Sequence, residues 1–208
     1  LEGSKAYADR FMEEFGVQRP PSFIAEKYNE GLEFIQDRDP TSYVIKADGL
    51  ADGKGVVLPR NYKEAFDAIT EMFLKGGYGG AGKEKVIFQD RYHGPEFSAF
   101  MLVDGNSYIM LPVFSQDHKR LGEGDEGPNT GGMGAYSPVE LSMKHLNQLD
   151  DMAGRTFDGL LSRDINYQGV IYFGLMAAEE LDGDLVNLEY NVRFGDPEAQ
   201  VILPLLNQ

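Results

Sequence analysis

The sequence predicts an α/β or α+β fold of two lobes with a largely antiparallel sheet. Two observations carry this. Short apolar runs of strand character alternate with segments whose apolar residues recur at the spacing of one helix face. Glycine-marked connections join neighbouring runs as hairpins, which makes those neighbours antiparallel. No segment repeats at a fixed period, so solenoids and propellers are excluded.

The elements follow in order. Lys5–Phe15 is an amphipathic helix with Ala8, Phe11, Met12 and Phe15 on one stripe, and Tyr28–Gln36 is a second. Tyr43–Leu58 is a hairpin whose strands are Val44-Ile45 and Val56-Val57-Leu58, with Gly49, Gly53 and Gly55 in the connection. Tyr62–Leu74 is a helix that turns Ala65, Phe66, Ile69 and Phe73 inward. Lys85–Gln89 is a strand entering a hinge. Phe97–Val103, Tyr108–Phe114, Gln168–Ala178 and Leu185–Tyr190 form the larger sheet, and Leu141–Ser162 is a long helix packing Leu146, Leu149, Ala153, Phe157 and Leu160. The smaller lobe is expected over about 16–92 and the larger over 93–208.

Composition narrows the function. The chain has no cysteine, which excludes a disulfide framework, a thiol nucleophile and a Cys-bearing zinc site. Its formal net charge of −15 argues against nucleic acid and anionic membranes as partners. No apolar run is long enough to span a bilayer and no signal-peptide pattern opens the chain, so a cytoplasmic location is expected. The 25 glycines exceed the roughly 15 expected at average usage, consistent with several functional loops.

Three segments carry chemistry. In EYNVRFGDPEAQ, Glu189 and Asn191 are two apart, so on a strand they share a face. A carboxylate and a carboxamide there suit a hard cation such as Mg²⁺. Arg193 has the same parity if the strand continues, and a polar edge strand is the plainer alternative. In YVIKADGLADGKGVVL, Lys46 and Lys54 flank a glycine loop able to close on a polyphosphate. The plainer alternative is surface charge on a hairpin. This loop is not a Walker A motif, because Gly49 to Gly53 is one residue short. The run Gly77 to Gly82 matches G-x-G-x-x-G, but it follows a helix and precedes a strand, the reverse of the dinucleotide-binding context. In the third segment, Ser115 to Pro138, Asp117, His118, Lys119 and Arg120 precede a glycine-rich stretch holding Asn129, Thr130 and Gly131. It reads as a substrate loop in preference to a linker.

Together, LEGSK, IKADGLADGKG, SQDHKR, GPNTGGMGAYSP and EYNVRFGDPE resemble the phosphoribosylamine–glycine ligase (glycinamide ribonucleotide synthetase) family, in family order over nearly the whole chain. The resemblance implies the ATP-grasp fold, two α+β lobes with ATP between them. It implies that ATP, glycine and 5-phosphoribosylamine give glycinamide ribonucleotide, ADP and phosphate, an early step of purine synthesis. It places Lys5, Lys46 and the loop residues Gly53, Lys54 and Gly55 on the ATP phosphates, Gln89 on adenine and Glu96 on the ribose hydroxyls. It implies that Glu189 and Asn191 hold Mg²⁺ or Mn²⁺, that Arg193, Asp117 and Lys119 are the catalytic residues, and that His118, Arg120, Asn129, Thr130 and Gly131 bind substrate.

Two positions depart from the family pattern. The hinge, usually Glu-Glu-Phe-Leu, reads Gln89-Asp90-Arg91-Tyr92, which is expected to alter nucleotide preference. Asp52 stands where the lid usually has alanine. The family's flanking N- and C-terminal domains are expected outside this stretch, along with fusion to other purine enzymes in some relatives. This stretch is accordingly expected to bind Mg·ATP yet form little product alone. The remaining readings are another ATP-grasp carboxylate–amine ligase and a nucleotide-binding module without turnover.

Overall fold

The structure, a computed structural model, describes residues 1–50, 55–77, 82–127 and 129–206. It divides into two units, one of Leu1–Arg10 with Pro20–Arg91 and one of Phe11–Arg19 with Tyr92–Gln208. Leu1–Arg10 therefore groups with the first unit, although the expected smaller lobe began near residue 16.

Helix α1 (Lys5–Glu14) opens the chain. Its start is capped by Asp48, which accepts from the Ala6 amide at 3.0 Å and the Ser4 hydroxyl at 3.1 Å. The first unit continues with β1 (Ser22–Ala25), α2 (Tyr28–Gln36), β2 (Tyr43–Ala47), β3 (Val56–Val57), α3 (Tyr62–Thr70) and β4 (Val86–Asp90). Its sheet has the order β1-β4-β2-β3, and every pairing is antiparallel. Glu30 reaches back to the Glu26 and Lys27 amides to start α2. Asn61 caps α3 by accepting from the Glu64 amide at 2.9 Å.

Strand alternation sorts this sheet's two faces. Tyr43, Ile45, Ala47, Val86 and Phe88 pack on Ile35, Ala65, Ile69 and Met72 of the helices. Burying each large side chain fully contributes about 1.5–3 kcal/mol. Phe66 departs from expectation: it is 37% exposed and stacks on Tyr62, while Ala68 and Met72 take the inward positions beside Ile69. The helical spacing allowed either stripe, and the close approach of α2 favours the smaller Ala68.

In the second unit, β5 (Glu96–Asp104), β6 (Tyr108–Met110), β7 (Gln116–Arg120), β8 (Asn129–Tyr136), α4 (Met143–Ser162), β9 (Gln168–Ala178), β10 (Asp184–Asn191) and α5 (Glu198–Ile202) follow one another. The main sheet has the order β10-β9-β5-β6, and β7 pairs with β8 in a separate ribbon. The expected strand Tyr108–Phe114 stops at Met110, just before Pro112, which has no N–H to give a ladder. Helix α4 begins after Ser142, whose hydroxyl accepts from the His145 amide. One sheet face carries Tyr190, whose ring meets those of Phe11 and Phe173 and whose hydroxyl is bonded to Thr156 of α4 at 2.7 Å. Gly159 permits this closeness, since a Cβ there would lie 2.6 Å from the Phe11 ring. Among the described residues no helix is long and apolar enough to cross a membrane.

The glycine-rich stretch after Arg120 was expected to be a loop, and its Asn129–Tyr136 part is strand β8. Gln116 pairs with Tyr136, Asp117 with Ala135, His118 with Gly134 and Arg120 with Asn129. Strand β8 has too few side chains to show a period-two pattern, so its ladder is not visible in composition.

Candidate functional site

The first unit carries the residues expected to meet the phosphates and adenine, and Glu96, expected on the ribose, belongs to the second. Lys46 pairs with Ile87 and Gln89 with Val44. Both therefore project from the sheet face opposite the helices. Lys46 is 8% exposed and Gln89 4%. Burial at that level sets Lys46 apart from the exposed lysines of this unit, such as Lys63. Lys5 donates to the Gly49 carbonyl at 2.9 Å, tying the helix start to the first glycine of the hairpin connection. The Gly55 carbonyl accepts from the Ala47 amide at 2.8 Å and closes the hairpin base. Gly53, Lys54 and Asp52 lie outside the described residues.

In the second unit, strand register determines which polar groups meet. Glu96 pairs with Met176, Ser98 with Gly174 and Phe100 with Tyr172 across β5 and β9. On the other side Glu189 pairs with Gly174 and Asn191 with Tyr172. Glu96, Ser98, Tyr172, Glu189 and Asn191 thus share one face. A β-bulge is responsible: Asn187 pairs with Leu175 and Glu189 with Gly174, leaving Leu188 as the extra residue. Without it, Glu189 would follow Leu185 and Asn187 onto the buried face against α4. Gly174 leaves room opposite, since a Cβ there would sit 3.1 Å from the Glu189 Cγ. The strand ends at Asn191, so Arg193 is not set by its parity; Arg193 is exposed and its Nη1 donates to the Phe194 carbonyl at 3.0 Å.

Strand β7 brings its own charges to this site. Lys119 Nζ lies 2.7 Å from a Glu96 carboxylate oxygen and 3.9 Å from Asp117. Burial works against the ammonium, but Tyr172 and the carboxylates of Glu96, Asp117 and Glu189 outweigh it and hold Lys119 above the ordinary lysine range. Tyr172 is itself pushed up by burial and stays a neutral hydroxyl near pH 7. There the three carboxylates carry the effect. His118 is separated from this group by strand alternation, and its Nε2 bonds to the Gly122 carbonyl at 3.0 Å. Thr130 donates to the Lys119 carbonyl at 2.8 Å and accepts from the Gly132 amide. Gly131 is exposed, with nothing within 4 Å of where a Cβ would stand. Arg120 and Asn129 are placed by their backbones, opposite each other in the ladder.

Sequence reasoning missed Ser98, Tyr172 and Glu198. Glu198 is 4% exposed, and its Oε1 accepts from the Ser98 hydroxyl at 3.3 Å. The Ser98 proton is spent there, so Tyr172 donates to Ser98 across their 3.0 Å contact. The available signal was Glu198 inside the GDPE run, ahead of an apolar helix that leaves a carboxylate little access to water.

Burial raises the carboxyl groups of both Asp117 and Glu198. For Asp117 the Lys119 charge opposes the shift and Glu96 adds to it; for Glu198 the Asp117 charge adds to it. A carboxyl raised in the folded state binds its proton more tightly there than in the unfolded chain. Stability is therefore lost as pH rises from the ordinary carboxylate value, about 4, through the raised value. Glu198→Gln, which keeps the Ser98 acceptor, is expected to melt at or above the parent temperature at neutral pH and to match it most closely below that window. Thermal melts across this pH range would refute the assignment if the variant–parent difference did not change with pH.

Gly132 of β8 has φ +125, and a Cβ there would lie 2.6 Å from Pro197 and 3.1 Å from the Asp196 carbonyl. The ribbon therefore packs on the GDPE turn only because this residue is glycine. Gly132→Ala is expected to cost about 1–3 kcal/mol. An unchanged denaturation midpoint would contradict this packing.

The donors on the shared face fit a hard divalent cation. Glu189 and Asn191 offer oxygen ligands side by side, with Gly174 leaving space. Among the described residues no group of three His, Cys, Asp or Glu forms a metal cluster. Two protein ligands suit an ion that completes its shell with phosphate oxygens and water.

The chain resembles known proteins over nearly its whole length. The Thermotoga maritima phosphoribosylamine–glycine ligase is 41% identical over 205 residues, covering 99% of this chain and 50% of that protein. The Bos taurus trifunctional purine biosynthetic protein adenosine-3 is 43% identical, over 99% of this chain and 20% of its own length. The chain thus spans half or less of these relatives. A crystal structure of phosphoribosylamine–glycine ligase from Thermotoga maritima superposes with a TM-score of 0.89 at 40% identity, covering 98% of this chain and 51% of that one. The family description that matches residues 3–199 is phosphoribosylglycinamide synthetase, ATP-grasp (A) domain, and the chain belongs to that family.

Proposed function

We propose that the protein ligates glycine to 5-phosphoribosylamine at the expense of ATP, giving glycinamide ribonucleotide, ADP and phosphate through glycyl phosphate. The observation that carries this reading is identity above 40%, across nearly the whole chain, to a protein named phosphoribosylamine–glycine ligase. Lys46 and Lys5, with Gly53, Lys54 and Gly55, bind the ATP phosphates, while Gln89 contacts adenine and Glu96 the ribose. Glu189 and Asn191 hold Mg²⁺ or Mn²⁺. When bound, the cation neutralises charge on the phosphate oxygens during transfer. The substrates are small molecules, the location is cytoplasmic, and fusion to other purine enzymes fits the trifunctional relative's name.

The chain's own residues divide the work. The glycine carboxylate attacks the γ-phosphate, and Lys119 with Arg193 offsets the negative charge that accumulates there. Asp117, 3.9 Å from Lys119, orients that ammonium, and its carboxylate accepts hydrogen bonds from the amino group of glycine. The ribosylamine nitrogen then attacks the acyl carbonyl, releasing phosphate, and His118, Arg120, Asn129, Thr130 and Gly131 bind that substrate. Exclusion of water protects the acyl phosphate from hydrolysis. Incubation with ATP, glycine and phosphoribosylamine, followed by mass spectrometry, tests the reading. Product requiring both substrates supports it, whereas ADP release with another acceptor amine, and none with phosphoribosylamine, would favour a different carboxylate–amine ligase.

A further inference from the structure

The bulge that aims Glu189 has an internal support. Asn187 is fully buried in the second unit, where an unpaired amide would be costly. Its backbone N–H donates to the Gln18 carbonyl at 2.8 Å. One terminus of its side-chain amide faces two carbonyl oxygens, Gly174 at 3.2 Å and Glu189 at 3.1 Å, so that terminus is the nitrogen. These two carbonyls belong to the residue pair just beyond the bulge, one on each strand. A single carboxamide therefore bridges the point at which β10 changes parity.

We infer that Asn187 is a positioning residue: its side-chain amide holds the Leu188 bulge, and through it turns Glu189 and Asn191 toward the site face. The alternative register is regular. Removing Leu188 as the extra residue would restore continuous alternation and carry Glu189 to the face that packs on α4. That face is apolar, so the regular register is disfavoured by burial of a carboxylate, and the bulge is disfavoured by a broken ladder. Asn187 tips this balance by supplying two donors that an apolar residue of its size lacks. Its environment explains why a polar residue sits among Leu185, Val186 and Tyr190, a placement that catalysis at Glu189 does not otherwise require. The inference rests on the proposed role of Glu189 only for its effect on metal, and not for its effect on the bulge.

The test uses Asn187→Leu, which removes the donors at similar volume, and Asn187→Ser as a second variant should the first fail to fold. Two readouts are taken: amide hydrogen exchange at Leu188–Asn191, and Mn²⁺ affinity by electron paramagnetic resonance in the presence of ADP. The expected result is exchange at least tenfold faster in this segment, with α4 unchanged, and Mn²⁺ affinity about fivefold to tenfold weaker. In a Glu189→Gln background the Asn187 substitution should then weaken Mn²⁺ no further, because both act through one carboxylate. Unchanged exchange in the folded variant would overturn the inference whatever the metal does. Faster exchange with parental Mn²⁺ affinity, while Glu189→Gln weakens Mn²⁺, would overturn the link from the bulge to the site. If Glu189→Gln itself leaves Mn²⁺ affinity unchanged, the metal assignment falls, and the exchange result alone decides whether Asn187 holds the bulge.

Discussion

Glu189→Gln is expected to weaken Mg²⁺-dependent nucleotide binding by about 1–3 kcal/mol, the cost of one charge-assisted contact, while leaving the fold intact. The substitution keeps the size of the side chain and its fit over Gly174, where the Glu189 Cγ lies 3.1 Å from a would-be Cβ. What it removes is the negative charge that the cation requires. The same change removes a repulsion on Asp117 and an attraction on Lys119, two effects of opposite sign. Asn191→Ala, one strand repeat further along the face, should weaken binding in the same direction. Calorimetry with Mg·ATP reads both effects. Parental affinity in both variants would contradict the metal assignment.

Lys46→Met is expected to lower nucleotide affinity at least tenfold, whereas Lys63→Met should change it by less than twofold. Both residues are lysines of the first unit, so overall charge changes equally. Lys46 is 8% exposed on the face of β2 turned away from the helices. The Lys63 side chain is 83% exposed and forms an i,i+4 pair with Asp67 on α3, and such a pair contributes only a few tenths of a kcal/mol. Methionine preserves the length of the lysine stem, so packing in the sheet is largely kept. A modest salt dependence of the Lys46 effect is expected for an enclosed charge. Equal effects from the two substitutions would mean that only bulk charge had been measured.

The parts of the fold legible in the sequence are those set by local pattern. Helix α2 and strand β9 run over Tyr28–Gln36 and Gln168–Ala178 as the spacing implies, because caps and apolar periodicity lie within the segments themselves. The sharing of a face by Glu189 and Asn191 was also legible, since it needs only two residues of one strand. Which face they share was not. That depends on the bulge at Leu188, a property of how β10 meets β9, and on an amide two residues upstream. Strand β8 was read as a loop because its glycines leave no side-chain pattern, although its backbone pairs with β7. Phe66 was placed inward by periodicity, and tertiary packing preferred Ala68. Glu198 escaped notice because a glutamate at a helix start is ordinary, and only its burial against Ser98 sets it apart.

Position labels in glycine test the central claim most directly. With glycine carrying ¹⁸O in its carboxylate, attack on the γ-phosphate transfers one labelled oxygen to phosphorus, and collapse of glycyl phosphate onto the amine releases it as labelled phosphate. For the chain assayed together with any segments that flank this stretch in the full protein, the account predicts glycinamide ribonucleotide formed in step with ADP, and phosphate carrying one ¹⁸O per product molecule. Glu189→Gln should slow both together. Unlabelled phosphate accompanying product would show that glycine is not activated by phosphoryl transfer, and ADP release without product from these substrates would contradict the ligase assignment itself.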